Sequence, residues 1–120
     1  MVEIAEVDEM DAIFHALAHQ VRRQILDFVT ENPGCQSGEI CEQFTISRIA
    51  VSKHIKILEK ADLVVIEKAG RARLHYFNSI PIQAIYDRWT NEYSHFFAHK
   101  LNAFKHQLEQ EEEDTNEKIA

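Results

Sequence analysis

Scarcity is the first thing this sequence offers. Its 120 residues include two cysteines, two prolines and three glycines. Two cysteines cannot build the disulfide network of a small secreted scaffold. Three glycines, scattered singly, leave no phosphate-cradling glycine loop and no nucleophile elbow. The acids gather at the two ends rather than converging on a nucleophile, so no enzyme and no cofactor are expected. Long apolar runs are lacking as well, which argues against a membrane span. The opening decapeptide, Met1 to Met10, is acidic where a secretory leader needs positive charge before an apolar run. The expectation is one soluble, cytoplasmic domain.

What is present can fill a core: 45% of residues are apolar and 28% charged. A chain this small gains from sharing surface with a second copy. The net charge of −7 hides its distribution. Residues 1–12 carry five acids and no Lys or Arg, and residues 109–118 carry six acids against Lys118 alone. Between them, residues 48–73 hold seven Lys or Arg against three acids. Such a segment attracts a polyanion locally, while the acidic ends weaken unspecific adhesion. The expected organisation is therefore an acidic arm over 1–10, a domain over 11–108 and an acidic, frayed tail over 109–120.

Periodicity supplies the elements. Asp11 is a candidate cap for a first helix to about residue 18, with Ile13, Phe14 and Leu17 on its apolar side. A second helix over 20–31 carries Val21, Ile25, Leu26 and Val29, and Asn32-Pro33-Gly34 stops it. A short third helix starts near Ser37, whose hydroxyl is a candidate cap, with Ile40, Cys41 and Phe44 apolar. Ser47 caps a fourth, with Ala50, Val51, Ile55 and Leu58 apolar. Two short helices so closely joined have the form of a helix-turn-helix. The runs 63–66 and 73–77 then read as a β-hairpin around Gly70, a basic-tipped wing. From Pro81 a long helix lines Ile82, Ile85, Tyr86, Trp89, Tyr93, Phe97, Leu101, Phe104 and Leu108 along one side. That stripe exceeds what the preceding core can cover, and a second copy is the expected cover.

Three local patterns resemble the ArsR/SmtB-like family of winged-helix transcriptional repressors. Ala16 to Leu26 is similar to the family's "ALSDPTRRxIL" opening. Ser47 to Leu58 is similar to its "SxxAVSxHLxxL" recognition helix. Gly70 to Tyr76 is similar to its wing. The likeness covers about residues 11–108 and is nearest the branch without an obvious metal cage. His19-Gln20 stands where Asp-Pro is common, leaving the second helix without its usual punctuation, and Ile49 replaces a frequent Pro. The resemblance implies a mainly α fold with a small β-hairpin wing, a winged helix-turn-helix dimerising through terminal helices. It also implies a homodimeric repressor on a pseudo-palindromic double-stranded DNA operator, released by a ligand, by oxidation or by a partner protein.

Arg48, Ser52 and Lys56 recur every four residues and share a helix face. Arg48 can bridge a guanine, Ser52 can bond a base edge, and Lys53 and Lys56 suit phosphate. Ser47, Ala50 and His54 complete the helix's candidate contacts, His54 either orienting a phosphate or packing beside the helix. Arg71 and Arg73 on the wing reach for the minor groove or backbone. Arg22 and Arg23 cannot both face outward, and one is expected to pair with Glu39 or Glu42. The expected dimer seam is Phe14, Tyr86, Trp89, Tyr93, Phe97, Leu101 and Phe104.

Other readings compete. Cys35 and Cys41 are redox candidates, although Cys41 suits tight packing and the arsenical sensors' Cys-x-Cys pair is missing. His95, His106 and Glu109 repeat part of the family's zinc pattern, with Tyr93 in place of its Asp and His99 one turn after His95. At about 100° per residue these histidines lie within about 40° of one another, nearly opposite the aromatic side. No metal is therefore expected. A protein-interaction module without DNA binding is the alternative from another class.

Overall fold

The computed structural model describes residues 8–90 and 92–119, without the side chains of Glu92–Ser94 or of the last turn. Most of the acidic arm and the side chain of Tyr93 thus lie outside the described residues. The chain divides into two compact units, one through Ala84 and one from Ile85.

In the first unit α1 spans Glu9–Leu17, capped by Asp8, whose carboxylate accepts from the Asp11 N–H at 2.7 Å. Asp11 is therefore the group capped and not the cap, since an N-cap oxygen reaches an N–H two or three residues ahead. Ile13 and Ala16 face the core, and Phe14 stays exposed. Helix α2 spans Gln20–Glu31, where periodicity put it. His19 supplies the missing punctuation: its Nδ1 accepts from the Val21 N–H at 3.1 Å. Beyond Asn32, Gly34 turns at φ +83, and a Cβ there would meet the Tyr76 hydroxyl at 3.3 Å. A side chain at Gly34 would be strained by the positive φ, and the Tyr76 hydroxyl would have to give by a few tenths of an ångström.

Gly34 leads into β1, Cys35–Gln36, an element too short for the sequence to announce. Helix α3 spans Ser37–Cys41 and is capped by Gln36 rather than Ser37, with the Glu39 carboxylate accepting from the Gln36 N–H at 3.4 Å. Helix α4 spans Arg48–Lys60, and the Ser47 hydroxyl accepts from the Ala50 N–H at 3.1 Å. Its last turn closes in a Schellman motif: Leu63 N–H bonds the Leu58 carbonyl and Asp62 N–H that of Glu59, both at 3.0 Å. Asp62 takes the left-handed conformation this requires, φ 59.

Strands β2 (Val64–Ala69) and β3 (Ala72–Phe77) pair antiparallel from Val64↔Phe77 to Ala69↔Ala72. Gly70 at φ +64 is the first of two turn residues, and Arg71 does not share its positive φ, the pattern of a type II′ hairpin. On the other edge β1 pairs with β3, Cys35 opposite His75, giving the order β1-β3-β2. His75 is buried, and its Nδ1–H donates to the Cys35 carbonyl at 2.9 Å. The unit is mainly α with a small β-hairpin wing, centred on Ile25, Val29, Ile40, Val51, Leu58 and Leu63.

Asn78 joins the wing to the next helix. Its amide N–H donates to the Asp62 carbonyl at 2.9 Å, and its oxygen accepts from the Ile80 N–H at 3.2 Å. Helix α5 follows at Ile80–Trp89, and α6 spans Glu92–Ile119. The single long helix read from the sequence is thus two. After Trp89 the Thr90 hydroxyl bonds back to the Tyr86 carbonyl at 2.6 Å, occupying an acceptor of the last turn. Helix α6 runs through the acidic segment to Ile119, in keeping with the helix propensity of its Glu and Gln residues. No described helix is long and apolar enough to cross a membrane.

Candidate nucleic-acid interface

Helix α4 has two faces with separate roles. Val51, Ile55 and Leu58 anchor it in the core, while Arg48, Ser52, Lys53 and Lys56 are exposed. Ser47 is exposed and committed to capping, and Ala50 is half-buried. Arg48 occupies the first helical position, and the first turn holds no acid. A cation there opposes the helix dipole at a cost of about 0.3–1 kcal/mol, a placement that intrahelical stability does not explain. The first turn of α1 does the reverse, with Glu9 and Asp11. On the hairpin, Arg71 sits in the turn and Arg73 near the start of β3, both exposed.

His54 does not join that outward face. Half-buried, it turns toward α2: its Nδ1 accepts from an Arg22 N–H at 3.2 Å, and its ring lies 4.5 Å from that of His19. Of the two roles open to it, packing beside the helix is the one observed. Burial first, and then the neighbouring His19 and Arg22, pull its pKa down, which favours the neutral imidazole that can accept this bond.

Arg22 is the one of the Arg22–Arg23 pair that turns inward. With Ile25, Leu26 and Val29 it completes an i, i+3, i+4, i+7 stripe, and it is only 6% exposed. Its Nε–H donates to the Ala16 carbonyl at 2.8 Å and a terminal N–H to that of His15 at 2.9 Å. Arg23 donates to the Leu17 carbonyl at 2.7 Å. The expected pairing with Glu39 or Glu42 gives way to the last carbonyls of α1, the negative end of that helix. One buried guanidinium thus ties the end of α1 to both α2 and the middle of α4.

Residues 17–67 match the family described as "Helix-turn-helix domain". Over 85 residues the chain is 34% identical to an uncharacterised HTH-type transcriptional regulator, YuzN, of Bacillus subtilis, covering 66% of this chain and 92% of that protein. It is 30% identical over 74 residues to the transcriptional repressor SdpR of the same organism, covering 62% and 81% respectively. Its fold matches an ArsR-like transcriptional regulator from Rhodococcus sp. RHA1 with a TM-score of 0.62 at 22% identity, over 82% of this chain and 91% of that one. This chain belongs to the HTH-type transcriptional regulators, and its fold is the ArsR/SmtB-like winged helix-turn-helix.

Cys35 is buried in β1, and burial, with the Glu39 charge second, pushes its thiol pKa up, away from the reactive thiolate. Cys41 is a free, half-buried thiol at the end of α3. His95, His99, His106 and Glu109 are all exposed along α6. Among the described residues no three His, Cys, Asp or Glu side chains come together as metal ligands. The expected seam residues Phe14, Tyr86, Trp89, Phe97, Leu101 and Phe104 are exposed.

Proposed function

We propose that the protein is a homodimeric repressor that occupies a pseudo-palindromic operator. In this reading each protomer lays α4 in a major groove, with the Gly70–Arg71 tip on the adjacent backbone or minor groove. The observation that carries it is the outer face of α4, where Arg48, Ser52, Lys53 and Lys56 are exposed on a helix fixed from behind by Val51, Ile55 and Leu58. Arg48 and Ser52 meet base edges, and Lys53, Lys56, Arg71 and Arg73 neutralise phosphates. A second copy covers the aromatic side of the second unit, where Trp89, Phe97, Leu101 and Phe104 stand exposed. Repression follows from occupancy near a promoter, and a relative at 30% identity is named a transcriptional repressor.

Fluorescence-anisotropy titration of reduced, metal-free protein against its own upstream DNA and a scrambled duplex, at two salt concentrations, tests this. Selective, salt-sensitive binding is expected. No selectivity at either salt would leave two options, a required co-effector or a winged helix used for protein contacts.

A further inference from the structure

We propose that Ile49 is a sequence-reading residue whose side chain meets the 5-methyl group of a thymine in the major groove. The assignment rests on the operator reading above and adds a determinant to it. At about 100° per residue, Ile49 lies within about 30° of the direction opposite the buried Val51–Ile55–Leu58 stripe. It thus occupies the middle of the outward face, with Ser52, Lys53 and Lys56 at i+3, i+4 and i+7. Ile49 is 71% exposed, and Ile46, just before the Ser47 cap, is exposed as well.

A single exposed isoleucine is ordinary on a protein surface. The surroundings of this one are not, for its outward neighbours are polar or cationic. Local stability does not account for it, because a β-branched residue is a poorer helix former than Ala, Lys or Gln. Its position is the first turn of α4, and N-terminal residues of a recognition helix are those that reach base edges. The apolar feature a base edge offers in the major groove is the thymine methyl. Arg48 next to it supplies the polar contact and Ile49 the apolar one, so the pair reads two different kinds of edge.

The test uses a duplex enriched from a random-core pool by the wild-type protein. Each thymine in the enriched sequence is replaced in turn by deoxyuridine, which deletes only the methyl group. At one or more thymines per half-site the wild type should bind the uracil duplex about four-fold more weakly, the equivalent of about 0.8 kcal/mol for one buried carbon. Ile49→Ala should bind the thymine and uracil duplexes equally. Its exposed site and the higher helix propensity of Ala leave the fold intact, which circular dichroism checks. A variant that keeps the wild-type thymine preference at every position overturns the assignment, as does a wild type with no such preference. Selective enrichment without methyl sensitivity removes only Ile49, whereas enrichment of no sequence removes the operator reading and Ile49 with it.

Discussion

The two units of this chain hold similar side chains and use them in opposite ways. Through Ala84, short helices and a three-stranded sheet close on one another, and Ile25, Val29, Ile40, Val51, Leu58 and Leu63 are fully buried. From Ile85 onward the apolar residues are larger and more aromatic, yet every described side chain of α6 is exposed, Leu101 at 67%. Apolar content alone does not make a core. A core needs a second surface, and one helix of about 42 Å has none to offer its own stripe. Within the second unit Lys100 lies over the Phe96 ring at 4.9 Å.

Leu58→Ala should produce the largest change, about 3–5 kcal/mol in a urea melt at any protein concentration, because no part of that side chain is exposed. Leu101→Ala should leave a dilute monomer's stability nearly unchanged and weaken self-association instead. Phe97→Glu should yield monomers in analytical ultracentrifugation, since it would bury a charge in the seam. Equal losses for Leu58→Ala and Leu101→Ala in dilute monomer would end the contrast between the units. A stable Phe97→Glu dimer would move the seam elsewhere.

Arg22 and Arg23 repeat the comparison in miniature. Both donate to carbonyls at the end of α1, but Arg22 is buried and also bonds His54, whereas Arg23 lies at the surface. Arg22→Ala should cost about 2–4 kcal/mol, since one buried and two part-buried charge-assisted bonds are lost together. Arg23→Ala should cost under about 1 kcal/mol, because water replaces its single exposed bond. Thermal or urea melts of the two variants side by side check the ratio, and similar losses would mean that burial is not what separates them.

These particulars show how far the sequence could be read. Helix α2, the Ser47 cap and the hairpin around Gly70 were legible because each rests on residues within one turn of one another. Strand β1 was not, for its two residues become a strand only by pairing with β3, some 40 positions away. The break after Trp89 was masked by a stripe whose spacing continues across it, from Tyr86 and Trp89 to Tyr93 and Phe97. Its local sign, the back-bonding hydroxyl of Thr90, resembles that of any surface threonine. On α4 the outward basic residues were legible from spacing. Spacing leaves the direction of His54 open, because its partner Arg22 lies 32 residues back on α2.

On the outer face of α4 the comparison becomes one of specificity. Arg48→Ala should cost about 1–3 kcal/mol on the selected duplex and relax its sequence preference. Lys56→Ala should weaken selected and random DNA alike and lower the salt slope by about 1. Anisotropy titrations over a range of salt separate the two. Equal loss of specificity in both variants would sink the division between base reading and phosphate neutralisation.

The smallest effect lies on the inner side of the same helix. Burial, His19 and Arg22 hold the His54 pKa below its ordinary 6.5, so the native state resists the proton more than the unfolded chain does. As pH falls below about 6.5, the unfolded chain gains protons that native His54 declines, and stability declines with it. The loss levels off once native His54 titrates, at which point its Nδ1 can no longer accept from Arg22. His54→Gln keeps an acceptor for Arg22 but cannot titrate. Urea midpoints between pH 7.5 and pH 5 should therefore fall less steeply in His54→Gln than in the wild type. Parallel slopes would show that the histidine facing Arg22 is not what couples α4 to pH. A steeper slope in the variant would reverse the sign of the pKa shift.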